Sequence, residues 1–428
     1  MARASSREAE GVKESLLYLC QLNPWPLSGG GLIRDFWTIK ALARRFSIDL
    51  VTADLAEPPP AEFAALCRDI RSFPRPAPSG NAGRMVRAVR ALRPNTSILT
   101  ANIVSRALRA HVRELVARNR YRLVMFDLPM YGALPPGAPP LVYHAHNCET
   151  ALFARRVELE RLPLRALLRA DARRLRAIES EAAARASCLL CCSQEDVSDL
   201  AALADDVSER AIVAANGVDV ARYETVRMQT PPGGRILITG SFTWRPNQLG
   251  LEWFTSNVVP RLEERAAGFP FEIHVAGRMS PAYAARISKH PRIVAVPNPP
   301  DMRSELTWAS VVAVPVLASS GTRLRILEAW AAGRPVVTTE AGAFGLEVWP
   351  GSDIAVYAEA KPFADALWGL LKNVRARASL AAAGTARSRD YDWNDIGGRL
   401  LADFEDAFPR RTARTADAAA SRGVPLLT

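Results

Sequence analysis

The sequence predicts an α/β protein built as two doubly wound parallel-sheet domains facing across a cleft. Three observations carry this. Short apolar runs alternate with helical stretches along most of the chain, the pattern of strand–helix–strand units and a parallel sheet. The alternation restarts after the break Pro231-Pro232-Gly233-Gly234. A length of 428 residues with 49% hydrophobic content is enough for two sizeable cores.

The first half opens with a strand over 16–22 and a loop over 23–31 that ends in Gly29-Gly30-Gly31. A helix over 32–45 and a strand over 48–52 complete the first unit. Runs 122–127 and 140–144 read as strands that close in polar residues, at the strand ends where such sheets bind ligands. Runs 188–193 and 211–215 are the next strands. Asn216-Gly217-Val218-Asp219 follows as a turn in which Gly217 is expected in the left-handed region.

The second half reads as strands over 235–240, 271–276, 293–296, 311–316 and 335–339, with helices over 249–265 and 363–383. Asp392-Trp393 precedes a last amphipathic helix, 396–404. The expected division is a disordered N-terminus, 1–14, a first domain, 15–230, and a second domain, 231–390. A C-terminal helix, 391–408, and a disordered Ala/Thr/Arg-rich tail, 409–428, complete it.

Composition excludes several classes of function. The six Cys make no pair of pairs of zinc type, and with five His a multi-His metal centre is not expected. Cys188, Cys191 and Cys192 lie in an apolar run and read as structural thiols of a reducing compartment. Residues 1–14 lack a signal-peptide core, and no run of about 18 apolar residues exists, so a cytoplasmic chain is expected. The net charge of +11 is uneven, with Arg-rich stretches over 84–122 and 155–176. The second carries leucines at Leu159, Leu162, Leu164, Leu167, Leu168 and Leu175. An anionic membrane surface at the inner face of the membrane and plain solvated faces are both open readings. Nucleic acid is disfavoured, because no binding motif accompanies the charge.

Chemistry concentrates in Ser319-Ser320-Gly321-Thr322-Arg323-Leu324-Arg325-Ile326-Leu327-Glu328, a small polar loop running into a helix. Free N–H groups and the positive dipole end of the helix suit an anion. Arg323 can fork onto a phosphate, and Glu328 can accept both hydroxyls of a ribose. This arrangement resembles the nucleotide-sugar site of glycosyltransferase family 4, whose members have the GT-B fold of two Rossmann-like domains. The family's usual Glu, seven residues, Glu motif matches here at Glu328, with Ser320 in the first position. Gly321-Thr322-Arg323 marks the branch with Gly-Thr-Arg before the donor-site helix.

Other segments extend the resemblance over roughly 16–404. Pro24, Gly29, Gly30, Gly31 and Arg34 are similar to the family's first loop, where phosphate or sugar approaches; a simple flexible turn is the alternative. His146-Asn147-x-Glu149, with Arg155 downstream, is similar to a motif of one branch. It implies that His146 lies near the transferred sugar, with His144 as a packed strand residue. Cys192-Ser193-Gln194-Glu195-Asp196 resembles a strand end entering a helix, with Ser193 as its cap. In Gly240-Ser241-Phe242-Thr243-Trp244-Arg245-Pro246-Asn247, Ser241 and Asn247 stand where relatives carry Arg and Lys on the diphosphate. The missing charge then falls to Arg323 first, followed by Arg325, Arg245 and Arg278. Asp301 is expected to cap a helix.

The resemblance implies a retaining, metal-independent, hexosyltransferase-type enzyme in cell-surface polysaccharide or glycoconjugate biosynthesis. Its co-substrate would be a nucleoside-diphosphate sugar, with no cofactor and an acceptor of open identity. His146, Arg323 and Glu328 would be catalytic. The donor would lie at Gly240, Ser241, Arg245, Asn247, Arg278, Ser320, Gly321, Thr322, Arg323, Arg325 and Glu328. The acceptor or sugar would lie at Gly29, Gly30, Gly31, Arg34, His146 and Asn147. A non-catalytic GT-B scaffold subunit and a GT-B nucleotide-sugar epimerase are the alternatives.

Overall fold

The computed structural model describes residues 13–410, except 28, 55–57, 76–95, 102, 159–161, 163, 227–228, 230–232 and 318–321. Ser320, Gly321, Leu159, both termini and much of the first Arg-rich stretch therefore lie outside the described residues.

The first sheet is fully parallel. Its strands are β1 (Glu14–Cys20), β2 (Phe46–Thr52), β3 (Cys67–Ser72), β4 (Leu123–Phe126), β5 (Leu141–His144), β6 (Cys188–Cys191) and β7 (Ala211–Val213), in the order β3-β2-β1-β4-β5-β6-β7. The second sheet contains β8 (Gly234–Thr239), β9 (Phe271–Gly277), β10 (Ile293–Pro297), β11 (Val311–Val314), β12 (Val336–Thr338) and β13 (Ala355–Val356), in the order β10-β9-β8-β11-β12-β13. Chain order reverses between β1 and β4 in one sheet and between β8 and β11 in the other. At these switch points the loops beyond the strand ends diverge and leave a crevice.

Eleven helices of eight or more residues stand among the described residues. They are α1 (Gly30–Leu42), α2 (Arg106–Arg118), α3 (Glu149–Glu158), α4 (Leu164–Arg185), α5 (Gln194–Ala201), α6 (Arg245–Trp253), α7 (Val259–Ala266), α8 (Leu324–Ala331), α9 (Ala360–Lys372), α10 (Val374–Ser388) and α11 (Trp393–Ala407). Both sheets are covered on both faces, so their central strands are largely apolar. Leu17 and Leu19 of β1 enter the core on one face, and Leu16, Tyr18 and Cys20 that on the other.

Several boundaries differ from the sequence reading, for local reasons. The helix expected over 363–383 is two, because Asn373 ends α9 and its side chain caps α10 by accepting from the Ala376 N–H at 3.0 Å. The helix expected over 249–265 begins at Arg245 and passes through a π-helical turn, Phe254–Val258, just before Pro260. Strand β3 has the sequence CRDIRS and sits at the sheet edge, where polar residues face solvent, so hydrophobic pattern alone misses it.

The turn at Gly217 is a further correction. Its φ is not in the left-handed region. A side chain is excluded there by close approach, since an added Cβ would lie 2.7 Å from the Tyr391 carbonyl and 2.8 Å from the Trp393 ring. Val218 donates to Tyr391 O at 2.8 Å and Trp393 donates to Val218 O at 3.2 Å, which ties the start of α11 to the end of the first domain. Helix α11 then packs on α1. Trp393 stacks on Trp37 at 5.9 Å, while Ile396, Leu400 and Phe404 join the first-domain core.

Candidate active site

The two halves meet at a cleft of about 890 Å³. The first domain contributes Gly29 and Gly30, at the N-terminus of α1. The second contributes the loops after β8, β9, β10 and β11 and the first turns of α8. Two glycines let the β8 and β9 loops converge. An added Cβ on Gly277, at φ +137, would lie 2.0 Å from the Gly240 carbonyl. Across the cleft, an added Cβ on Gly30 would meet Leu324 at 3.4 Å, and one on Gly29 would meet Arg278 at 4.0 Å. Arg155 of α3 also lies over the Phe344 ring, 5.0 Å from its centroid.

Two arginines sit at the start of α8. Arg323 is its N-cap residue, and Arg325 lies one position into the helix. Arg325 donates to Thr239 O at 2.8 Å and to Asn247 Oδ1 at 3.1 Å, under the Gly240 loop. Burial, reinforced by Arg325, pushes the Arg323 guanidinium down to about 10. Burial likewise pushes Arg325 down to about 10, against the attraction of Glu328. Both stay charged at neutral pH. Desolvated like charges side by side form a site that an anion relieves. Glu328, one turn along α8, is raised by burial and held back by a Tyr223 hydrogen bond and by Arg325 and Arg222. The Thr322 hydroxyl is buried in the same wall without a hydrogen-bond partner among the described residues.

A second, smaller pocket of about 180 Å³ opens beside Gly31, at the β1/β4 switch point. Asp35, Asp127, His146, Asn147 and Glu149 line it. Burial and then Asp35 push the Asp127 carboxyl up to about 7, against His146. Burial and Glu179 push Glu149 up to about 7. Asn147 donates to Glu149 Oε1 at 3.2 Å. Beneath the pocket, the buried Glu179 carboxylate accepts from the Glu149 and Thr150 N–H groups at 2.9 and 2.6 Å, and so holds the N-terminus of α3.

The pocket floor is a hydrogen-bonded relay. Tyr18 donates its hydroxyl to Asp35 Oδ1 at 2.8 Å, and His144 Nδ1 lies 2.8 Å from the same hydroxyl. Arg34 Nε donates to His144 Nε2 at 2.9 Å, so that nitrogen is unprotonated and the proton sits on Nδ1. His144 is buried and neutral; burial, with His146, brings it down to about 3. Asp35, His144 and His146 form the one group among the described residues whose potential metal-ligand atoms lie within 4.8 Å of one another. Both ring nitrogens of His144 already have partners and a guanidinium adjoins it, so the trio reads as a hydrogen-bond relay.

The residues singled out by sequence fall into three groups. Gly240, Ser241, Asn247, Arg278, Thr322, Arg323, Arg325 and Glu328 line the large cleft with Gly29 and Gly30. Arg278 Nε donates to Ser241 Oγ at 3.3 Å. Gly31, His146 and Asn147 line the small pocket. Two arginines lie elsewhere. Arg245 pairs with Glu252 at 2.9 Å and is not part of the cleft wall. Arg34 is only 2% exposed and lies under the pocket, donating also to Ala214 O, Asn216 Oδ1 and Cys191 O at 2.7, 3.2 and 3.1 Å. Ser193 caps α5, accepting from Asp196 N, and Asp301 caps its own helix, accepting from Arg303 N.

Sequence reasoning passed over Asp35, Asp127, Arg222 and Tyr223. Asp127 carried a usable signal, as the polar residue ending an apolar strand. Asp35 carried none beyond its place beside Arg34.

A family model described as Glycosyltransferase Family 4 matches residues 38–222, and one described as Glycosyl transferases group 1 matches residues 233–373. Phosphatidyl-myo-inositol mannosyltransferase of Mycobacterium leprae (strain TN) is 27% identical over 124 residues, covering 28% of this chain. The match spans 33% of that relative's length. Sucrose-phosphate synthase from Thermosynechococcus elongatus superposes with a TM-score of 0.69 at 15% identity, over 92% of this chain and 99% of that one. Anabaena HepE, solved in complex with UDP-glucose, gives a TM-score of 0.62 at 16% identity, over 92% of this chain and 100% of that one. At these identities the structural likeness establishes the GT-B fold.

Proposed function

Because this chain belongs to glycosyltransferase family 4, we propose that it moves a sugar from a nucleoside-diphosphate sugar to an acceptor hydroxyl. The donor occupies the large cleft, and the acceptor reaches it from the small pocket. The bond between anomeric carbon and diphosphate oxygen breaks with its electron pair going to the diphosphate, the acceptor oxygen takes the carbon, and the hydroxyl proton passes to the departing diphosphate. The observation that carries this reading is the pair of half-buried guanidinium groups, Arg323 and Arg325, at the N-terminus of α8 with Glu328 one turn away. The cations and the helix dipole suit the diphosphate, and the carboxylate suits the ribose.

Retention of configuration, a hexose as the transferred group and independence of metal follow the family reading. On that reading Arg323 and Arg278 neutralise the leaving diphosphate in place of a metal ion. Closure of the two domains excludes water and aligns the reactants. UDP-glucose is the first donor to test, since HepE was solved with it. Loss of Glu328 removes the ribose contact. Glu328→Ala is therefore expected to weaken nucleoside-diphosphate binding about tenfold by calorimetry. Unchanged affinity would remove Glu328 from the donor site.

We further propose that the chain works in polysaccharide or glycoconjugate assembly at the inner face of the membrane. No helix among the described residues is long and apolar enough to cross a membrane. Helix α4 and its approach offer a peripheral contact. Leu162 and Leu167 are 76% and 69% exposed, beside exposed Arg169, Arg173 and Arg176, while Leu168 and Leu175 face the core. Cosedimentation with anionic liposomes at low salt, lost at high salt, is the expected result. Absence of binding at low salt would leave these residues as a solvated face.

A further inference from the structure

Three consecutive residues at the start of α8 have unlike surroundings. Arg325 turns into its own domain, donating to Thr239 O at 2.8 Å and to Asn247 Oδ1 at 3.1 Å. Leu324 reaches across the cleft. It is half-buried and packs on two cores at once, one in each domain. An added Cβ on Gly30, the first residue of α1, would stand 3.4 Å from Leu324 Cδ1, so the leucine sits directly on the N-terminus of that helix. Arg323 faces both domains. Burial and then Arg325 lower its pKa, while Asp196 and Cys192 of the first domain act to raise it.

We propose that Leu324 is a positioning residue for Arg323, and that its seat on α1 makes the place of that guanidinium depend on how closely the two domains approach. The phosphate role of Arg323 rests on the sugar-transfer reading; the bridge made by Leu324 does not.

The contacts make the two arginines unequal. Arg325 keeps its partners wherever the first domain goes, because Thr239 and Asn247 belong to the second. Leu324 depends on the first domain for half of its packing. If the domains part, its apolar surface returns to water, which opposes the parting. Arg323, the N-cap residue beside it, then loses the first-domain groups that bound it on one side. A ligand that touches both walls favours the same close approach, so its binding and the Leu324 seat reinforce one another. Arg155 over the Phe344 ring, 5.0 Å from its centroid, is a second contact across the domains. Removing Leu324 therefore loosens the arrangement without freeing it entirely.

Small-angle scattering of the full chain reads the domain arrangement directly. Leu324→Ala is expected to raise the radius of gyration of the nucleotide-free protein. Leu324→Met, which keeps an apolar side chain of similar reach, should restore it. An unchanged radius in Leu324→Ala would overturn the proposal.

The link to Arg323 is read by a double-mutant cycle, using calorimetry with the tightest binder among UDP, GDP and ADP. Beside the native Leu324, Arg323→Ala should weaken binding about tenfold. In the Leu324→Ala background the same replacement should cost several-fold less, because Arg323 is no longer held in place. Equal losses in both backgrounds would show that Leu324 does not position Arg323. A merely structural role for Leu324 would lower the unfolding temperature and leave the cycle additive. Binding of none of the three nucleotides would instead count against the donor reading, and the scattering comparison would still uphold or overturn the Leu324 bridge.

Discussion

Replacing Arg323 by alanine is expected to lower turnover by about 100-fold or more, with a smaller change in acceptor KM. Bond cleavage leaves negative charge on the departing diphosphate. A cation placed where that charge grows acts more strongly in the transition state than in the ground state. Arg323 is suited to this because it is half-buried, stands at the N-terminus of α8 and remains protonated although pushed down to about 10. Ser241 and Asn247, elsewhere on the cleft wall, are neutral, so the charge falls to the arginines of that wall, of which Arg323 alone caps α8. Arg323→Lys should recover only part of the rate, because an ammonium cannot fork onto two phosphate oxygens. Near-wild-type turnover in Arg323→Ala, measured as release of nucleoside diphosphate, would remove Arg323 from the reaction.

Arg34→Ala is expected to damage the first domain itself. Its guanidinium joins α1 to the carboxyl ends of β6 and β7 through Cys191 O and Ala214 O, and braces His144 at 2.9 Å. Truncation leaves buried acceptors unsatisfied and a cavity beneath the small pocket. The cost is about 3 kcal/mol or more. For a domain of this size that corresponds to a fall in unfolding midpoint of roughly 6 °C or more. Calorimetry resolves the first-domain transition, and Arg34→Lys should recover little because one ammonium cannot reach all four acceptors. An unchanged midpoint would show that the network adds nothing to stability.

The fold was largely legible in the sequence because both sheets are parallel and buried on both faces. Such strands appear as continuous apolar runs, as in Val311–Val314, and glycine-rich loops mark their ends. The exposed edge strand β3, with its polar sequence, falls outside that rule. The break at Asn373 was missed because hydrophobic periodicity runs on through a single capping residue.

The site was legible where function depends on spacing along one helix. Arg323 and Glu328 share α8, so their relation is local and readable. The relay of Tyr18, Asp35, His144 and His146 joins β1, α1, β5 and the loop beyond it. Only the fold brings those side chains together. Arg34 shows the same limit from the other side. It sits in the right segment, but helix rotation turns it under the pocket while Asp35 faces in. Arg245 is drawn off by Glu252, seven residues further along α6, a pairing that motif matching does not see.

The central claim is that a nucleoside diphosphate binds between the two domains with its phosphates at the N-terminus of α8. The most direct test is a crystal structure with whichever of UDP, GDP or ADP gives the largest thermal shift. The account predicts phosphate oxygens within hydrogen-bond distance of Arg323 and ribose hydroxyls on Glu328. A nucleotide bound elsewhere, or no binding by any of the three, would contradict it.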